Sequence, residues 1–253
     1  EIAKRLKLKN CRVLSSKNEC LRQIVFYCPK ENTTDLIEKL CSAGAGAIGN
    51  YNNCSFKSSG VGTFKPLENS NPNKGVKGKL YSSKEDRVEL VFLKDKQNKI
   101  IQTLQENHPY EEIAYQIYIL DNKIRSIGSG LVGELAEPVD SILFLKQLKK
   151  IMNLELIRHT HVNKDVIKKI ALCGGSGSFL IDKAIYSNAD IFITSDIKYH
   201  QFFDIDNKII LADIGHYESE QFTKNLVYDY LTKKFTKFAI LLSKVNTNPI
   251  NYL

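Results

Sequence analysis

Three polar segments, residues 174–178, 195–200 and 213–220, hold residue types that bind metals or catalyse reactions. Each directly follows an apolar run that is typical of a buried strand. In open α/β sheets, ligands bind beyond the carboxyl ends of the strands, so these segments are expected to meet at one edge of a sheet. Their glycine and polar residues are not needed for packing, which makes this edge the candidate functional site.

His216 and Glu220 are the strongest candidates, because their i, i+4 spacing places both side chains on one face of a helix. An imidazole nitrogen and a carboxylate so placed can share one divalent ion, and mixed N/O ligation suits Zn, Mn, Fe or Ni. Surface pairs with this spacing are also common, and Glu220 could instead interact with the helix dipole while His216 lies at the strand end. Glu218 lies on another face and is predicted to be solvated.

Asp196, Lys198 and His200 form a candidate catalytic set in the second segment. If this segment is helical, Asp196 and His200 face the same way, and Asp196 could orient His200 as a general acid or base. Asp196 could equally be the N-cap of a helix. The sequence leaves both roles open.

Gly175, Ser176 and Gly177 lie between a predicted strand and a predicted helix, where backbone amides could bind a phosphate group. The segment is not a P-loop, because no Gly-Lys-Ser/Thr follows. A tight turn that lets the helix pack closely is the favoured alternative. Of the other histidines, His159 and His161 indicate an exposed strand edge, and His108 precedes a proline and is expected to form surface hydrogen bonds.

The elements around these residues predict three stretches. Residues 1–20 are the end of an N-terminal part and a linker. Residues 21–121 contain strands near 21–28, 87–93 and 113–120 and helices near 34–43 and 95–104, an arrangement of two βαβ halves that indicates a ferredoxin-like domain with a long connection at 57–83.

Residues 122–253 alternate helices with apolar strands, which is typical of a parallel or mixed sheet covered on both faces. Strands are predicted at 169–173, 190–194, 208–212 and 238–242, and helices at 140–152, 179–187 and 217–234. Phe222, Leu226, Tyr230 and Leu231 are expected on the inner face of the last helix. The fold class is therefore α/β with an additional α+β domain.

Composition limits the classes of function. The chain has 253 residues, 43% of them hydrophobic and 25% charged, as in globular proteins, and no apolar run approaches the length of a membrane span. The net charge is +8, but only 6 of the 36 basic residues are Arg, the residue that base-edge readout favours, so we expect no nucleic-acid partner. Six cysteines without a C-x-x-C pair or a signal peptide indicate a cytoplasmic location.

The same segments resemble the Nif-three-like family, the GTP cyclohydrolase I type 2 homologues. The resembling residues are 172–178 (LCGGSGS), 194–200 (TSDIKYH), 212–221 (ADIGHYESEQ) and 245–250 (VNTNPI). Residues 49–56, 62–66 and 108–112 are similar to the PII/CutA-like domain that longer members carry as an insert. The resemblance covers nearly all of the chain.

The resemblance implies a toroidal homohexamer with two metal ions in each subunit and an unidentified small-molecule substrate. His216 and Glu220 match ligands of that family, and Asp196, Lys198 and His200 match one of its motifs. The remaining ligands, adjacent histidines and an acidic residue, come from an N-terminal half that nothing before residue 20 matches. We therefore expect this chain to be a fragment with the insert and the C-terminal half of the metal domain, the natural polypeptide starting further upstream.

Overall fold

The computed structural model describes residues 1–253 and contains ten strands and eight α-helices. In chain order they are α1 (Ile2–Arg5), β1 (Lys9–Ser16), β2 (Leu21–Pro29), α2 (Thr33–Ala43), β3 (Ser55–Phe64), β4 (Tyr81–Leu93), α3 (Gln97–Asn107), β5 (Tyr115–Leu120), β6 (Gly128–Asp140), α4 (Ser141–Ile151), β7 (Arg158–His159), β8 (Val166–Ser176), α5 (Ile181–Tyr186), β9 (Ile191–Ser195), α6 (Gln201–Asp204), β10 (Ile210–Asp213), α7 (His216–Glu220) and α8 (Thr223–Lys234). Single 3-10 turns precede α3 and α5.

The chain divides into two compact units, residues 17–124 and residues 1–16 with 125–253. The first contains an antiparallel sheet and the second a mixed sheet, so the predicted mixed α/β fold class is confirmed. None of the helices combines the length and the apolar character that crossing a membrane requires.

Residues 17–124 form a four-stranded antiparallel sheet in the order β3-β4-β2-β5, with α2 and α3 as the two connecting helices. This is the β-α-β-β-α-β order of a ferredoxin-like fold. Alternate residues of β2 and β4 pack against both helices in one core, because successive side chains of a strand point to opposite faces. That core contains Ile24, Phe26, Leu36, Leu40, Val88, Leu90, Phe92, Ile100 and Leu104.

Residues 1–16 and 125–253 form a six-stranded sheet in the order β1-β6-β8-β9-β10-β7, in which β8, β9 and β10 are parallel. Each face of these three strands has its own core. Ile170, Ile193 and Ala212 contribute to the core beside α1 and α4, whereas Ala171, Phe192 and Leu211 contribute to the core beside α5. Burial on both faces explains why these strands are continuous apolar runs.

Two strands of this sheet were missed. Residues 9–16, predicted to lie in a linker, form β1 and pair with β6, which was not predicted. Both strands contain many polar residues and lack a regular alternation, and β1 lies at the edge of the sheet, where one side of the strand has no partner. The predicted 57–83 connection is also shorter, since β3 and β4 extend as a hairpin and leave only residues 65–80 between them.

The predictions for residues 217–242 were wrong in part. The single long helix is two helices, α7 and α8, interrupted at Phe222, whose ring packs against the core and under the Arg5 guanidinium. Leu226 and Tyr230 are more than half exposed, since other helices already cover both faces of the sheet. Residues 238–242 form no strand, because an apolar run does not by itself supply a partner strand.

The sequence predicted that His108 forms hydrogen bonds at the surface, but the structure places it in a buried position at the end of α3. Its Nε2 bonds the Tyr27 carbonyl at 2.9 Å and its Nδ1 accepts from the Tyr110 amide at 3.1 Å, so the ring is neutral. Desolvation by burial holds the pKa of His108 below its ordinary value of 6.5. The ring ties the β2 backbone to the segment that follows α3.

We expect the stability of the 17–124 unit to fall as the pH falls below 6.5. Below pH 6.5, His108 binds a proton in the unfolded chain but not in the folded one. The contribution of His108 to the free energy of unfolding is therefore present above this pH and is lost below it. His108→Gln should reduce this loss, and the exposed His161→Gln is the matched control. The readout is the urea midpoint of β2 and β4 peptides in pulsed hydrogen exchange at about pH 7.5 and about pH 5.5. A pH dependence unchanged by His108→Gln would contradict the assignment.

Candidate functional site

The carboxyl ends of β8, β9 and β10 bring the three polar segments together at one edge of the sheet. Asp213 pairs in register with Thr194, and Ser176 pairs with Ser195. The segment after β9 therefore begins beside the segment that leads from β10 into α7. The parallel arrangement of three buried strands produces this convergence.

His216 lies between two carboxylates. Its Nδ1 is 2.6 Å from Oδ2 of Asp196, and its Nε2 is 3.5 Å from Oε2 of Glu220 one helical turn away. All three side chains are about half exposed, so they line an open site. The hydrogen bond with Asp196, assisted by the charges of Asp196 and Glu220, raises the pKa of His216 above its ordinary value of 6.5.

The structure pairs Asp196 with His216 and not with His200. Residues 196–198 are neither helical nor part of a strand, and Asp196 has φ +58°, a left-handed conformation that is uncommon for residues other than glycine. Lys198 and His200 are exposed, and the His200 ring lies against Tyr199. His200 itself occupies the N-cap position of α6, so Asp196 caps no helix.

Gly175 and Gly177 lie close to other residues of the site. Gly175 has φ +64°, and a Cβ there would lie 2.6 Å from Oε1 of Glu220. Its amide donates to Oγ of Ser219 at 2.7 Å. A Cβ at Gly177 would collide with Oγ1 of Thr194, while Ser176 is the last residue of β8. The glycine segment thus forms the floor beneath Glu220.

Asp213 was not identified from the sequence, although it holds the site together. Its side chain is 3% exposed, and Oδ2 accepts from the Ile197 amide at 3.0 Å and from the Arg158 guanidinium. Its Oδ1 accepts from the Gly215 amide at 3.0 Å. One carboxylate therefore bonds the segment that carries Asp196 to the segment that carries His216. The only sequence signal was its position at the end of a buried strand.

Glu218 is 8% exposed, so the prediction that it is solvated was wrong. Its Oε1 accepts from Nδ2 of Asn248 at 3.1 Å, which attaches the C-terminal segment beside α7. Val245 and residues 247–250 then line a cleft of about 460 Å³ together with His216 and Glu220. The cleft provides space for a small ligand next to the two candidate metal ligands.

The His216 and Glu220 pair fits one metal ion. Two ligands about 2.1 Å from one ion are about 3.4 Å apart at a tetrahedral angle, and the observed separation is 3.5 Å. The other imidazole nitrogen bonds a carboxylate, as is usual for metal-binding histidines. No group of three or more His, Cys, Asp or Glu side chains is arranged to hold an ion. The pair therefore has the geometry of part of a metal site.

The fold and the site define a mixed α/β protein with a polar centre at the ends of parallel strands. A model of the Duf34/NIF3 (NGG1p interacting factor 3) family matches residues 1–249. The GTP cyclohydrolase 1 type 2 homologs of Halalkalibacterium halodurans and Bacillus subtilis are each 34% identical to the chain, over 100% of the chain and 69% of the relative. The chain belongs to the Duf34/NIF3 family.

Two solved structures share this fold. The crystal structure of a Bacillus cereus protein related to NIF3 is 31% identical, with a TM-score of 0.79 over 100% of this chain and 68% of that one. Staphylococcus aureus protein SA1388 shares the fold, at 23% identity and a TM-score of 0.65 over 100% of this chain and 67% of that one.

We expect Asp213→Asn to destabilise the chain by about 2 kcal/mol, because a buried carboxylate that accepts three hydrogen bonds loses its charge and one acceptor. Asp206→Asn, on an exposed side chain, should change the stability by less than about 0.5 kcal/mol. Urea denaturation measures both. Hydrogen exchange should also accelerate at the Ile197 and Gly215 amides in Asp213→Asn alone. Equal effects of the two substitutions would refute the role of Asp213.

Proposed function

We propose that this protein binds a divalent metal ion through Nε2 of His216 and the carboxylate of Glu220. The 3.5 Å separation between these two groups supports the proposal most directly. Asp196 would hold Nδ1 and so direct Nε2 towards the ion, a role that in metal sites raises the basicity of the ligand. The donors are one nitrogen and one carboxylate, which suits Zn, Fe, Mn or Ni without selecting one of them.

The complete centre, in this proposal, holds two ions per subunit of a hexamer. The donor pair supplies two ligands, fewer than the three or four that metal ions usually take from protein, so further ligands are needed. The resemblance of residues 212–221 to the metal-binding motif of the family supports a dinuclear centre with further ligands. The location would be cytoplasmic, since all six cysteines are free thiols.

The activity that best fits this site is hydrolysis of a nucleotide-like or phosphorylated small molecule. A bound ion would activate water and stabilise a leaving oxygen. The cleft beside His216 offers space for the substrate, and the relatives' name, GTP cyclohydrolase 1 type 2 homolog, supports a nucleotide-like one. Asp196 would position His216, while Lys198 and His200 are exposed in the segment that follows β9 and could contact a substrate.

A second candidate function is a non-catalytic metal-binding scaffold or regulator. The observation that favours it is a large cavity in the other unit, residues 17–124, which is of the size that binds small molecules. In this candidate, the metal site is structural, and the PII/CutA-like unit senses a ligand.

Metal binding is tested by equilibrium dialysis of the chain against Zn, Mn, Fe(II), Co and Ni separately, followed by elemental analysis. We expect His216→Ala to abolish the bound metal and Asp196→Asn to weaken binding by about 10-fold to 100-fold. His161→Ala is the control, because it removes an exposed histidine that lies outside the cleft. Metal content that is unchanged in His216→Ala would refute the proposal.

Catalysis is tested with the metal-loaded protein and a panel of nucleoside phosphates. Turnover that disappears in His216→Ala and on chelation supports the hydrolase. Turnover that is unchanged in His216→Ala contradicts it, and metal binding without turnover of any member of the panel favours the scaffold.

A further inference from the structure

A cavity of about 680 Å³ lies in the 17–124 unit, on the face of its sheet that is turned away from α2 and α3. Tyr27 and Glu85 point to this face, because they alternate along their strands with residues of the helix-facing core. The segments 64–74 and 110–114 complete the walls. Its volume lies within the range of small-molecule sites.

Glu85 is the buried charge of this cavity. Glu85 is only 9% exposed, and its Oε1 accepts a hydrogen bond from the Tyr110 hydroxyl at 2.8 Å. Its Oε2 accepts no hydrogen bond from the protein and lies beside Gly62, where a Cβ would collide with it. The absence of a side chain at position 62 therefore leaves space around an unpaired carboxylate oxygen. A buried carboxylate is costly unless a donor or a cation pairs with it.

Tyr110 is fixed as a donor to the other oxygen. Burial raises the pKa of its hydroxyl to about 12, so it keeps its proton. Its amide donates to His108, and its hydroxyl is 3.2 Å from Oγ of Ser83. Because Tyr110 donates only to Oε1 of Glu85, Oε2 remains available to accept a hydrogen bond from a ligand.

Part of the wall is apolar and aromatic, although polar and charged residues such as Lys65 and Lys74 also line the cavity. The Phe64 ring lies 5.9 Å from the Tyr110 ring, centroid to centroid, and Pro66 and Leu67 extend the apolar surface. Aromatic faces favour a cation beside them, and a carboxylate favours a cation that carries N–H donors. Two lysines also line the cavity, but Lys65 is exposed and Lys74 pairs with Glu31, whereas the Glu85 carboxylate is buried and lies beside the aromatic rings.

We propose that this cavity binds a small organic cation, a primary amine or an amidine-like group on an apolar or aromatic body. The cation donates to Oε2 of Glu85, and the body packs against Phe64, Pro66 and Leu67. This site shares no residue with the His216 and Glu220 pair, and it stands whether or not that pair binds a metal.

The test is isothermal titration calorimetry of the whole chain with two matched pairs of probes, benzamidine with benzamide and 2-phenylethylamine with 2-phenylethanol. At least one cationic probe should bind, and its neutral partner should bind about tenfold more weakly or not at all, since the charge-assisted hydrogen bond is lost. Glu85→Gln should weaken the binding of the cation by about tenfold or more, while the side-chain carbonyl of the new Gln can still accept from Tyr110.

Glu112→Gln is the control, because Glu112 lines the same cavity but is exposed. It should leave the binding of the cation unchanged. Gly62→Ala is a second variant, which fills the space beside Oε2 of Glu85 and should also weaken the binding of the cation. Circular dichroism checks that each variant is folded. The proposal is overturned if neither cationic probe binds, if the neutral probes bind equally well, or if Glu85→Gln binds as the wild type does.

Discussion

The carboxylate of Asp213 bonds backbone amides of two separate segments, and the geometry of the candidate metal site depends on it. Through Oδ2 it holds Ile197, next to Asp196, and through Oδ1 it holds Gly215, next to His216. The 2.6 Å bond between Asp196 and His216 requires both segments to keep these positions. Burial makes this arrangement rigid, because an unpaired carboxylate or amide at that depth would cost free energy.

The edge of the sheet that carries the site includes three residues with unusual backbone conformations. Asp196, Gly175 and Gly215 all have positive φ, and Asp196 is the costly one because it carries a Cβ. Its conformation lets the chain leave β9 and present the carboxylate to His216 at once. Gly175, in turn, lets Glu220 approach the floor of the site. Packing and hydrogen bonding elsewhere in the parallel sheet offset the cost of this geometry.

The sequence revealed the parts of the fold whose burial pattern is simple. The continuous apolar runs of β8, β9 and β10 predicted buried parallel strands, and the helical spacing of His216 and Glu220 predicted a shared face. Strand β1 was missed because its polar residues lie at a sheet edge. The bond between Asp196 and His216 could not be predicted, since it depends on a left-handed backbone that sequence spacing does not encode. The partners of Asp213 and Glu85 were not predictable from the sequence, because they come from segments distant along the chain.

The central claim is that His216 coordinates a metal through Nε2 while Asp196 occupies Nδ1. The most direct test is a crystal structure of the protein grown with Zn, with the ion located by its anomalous scattering. We expect the ion about 2.1 Å from Nε2 of His216 and from a carboxylate oxygen of Glu220, with the Asp196 bond retained. An ion bound to Nδ1, or an ion bound elsewhere with this pair unligated, would contradict the account.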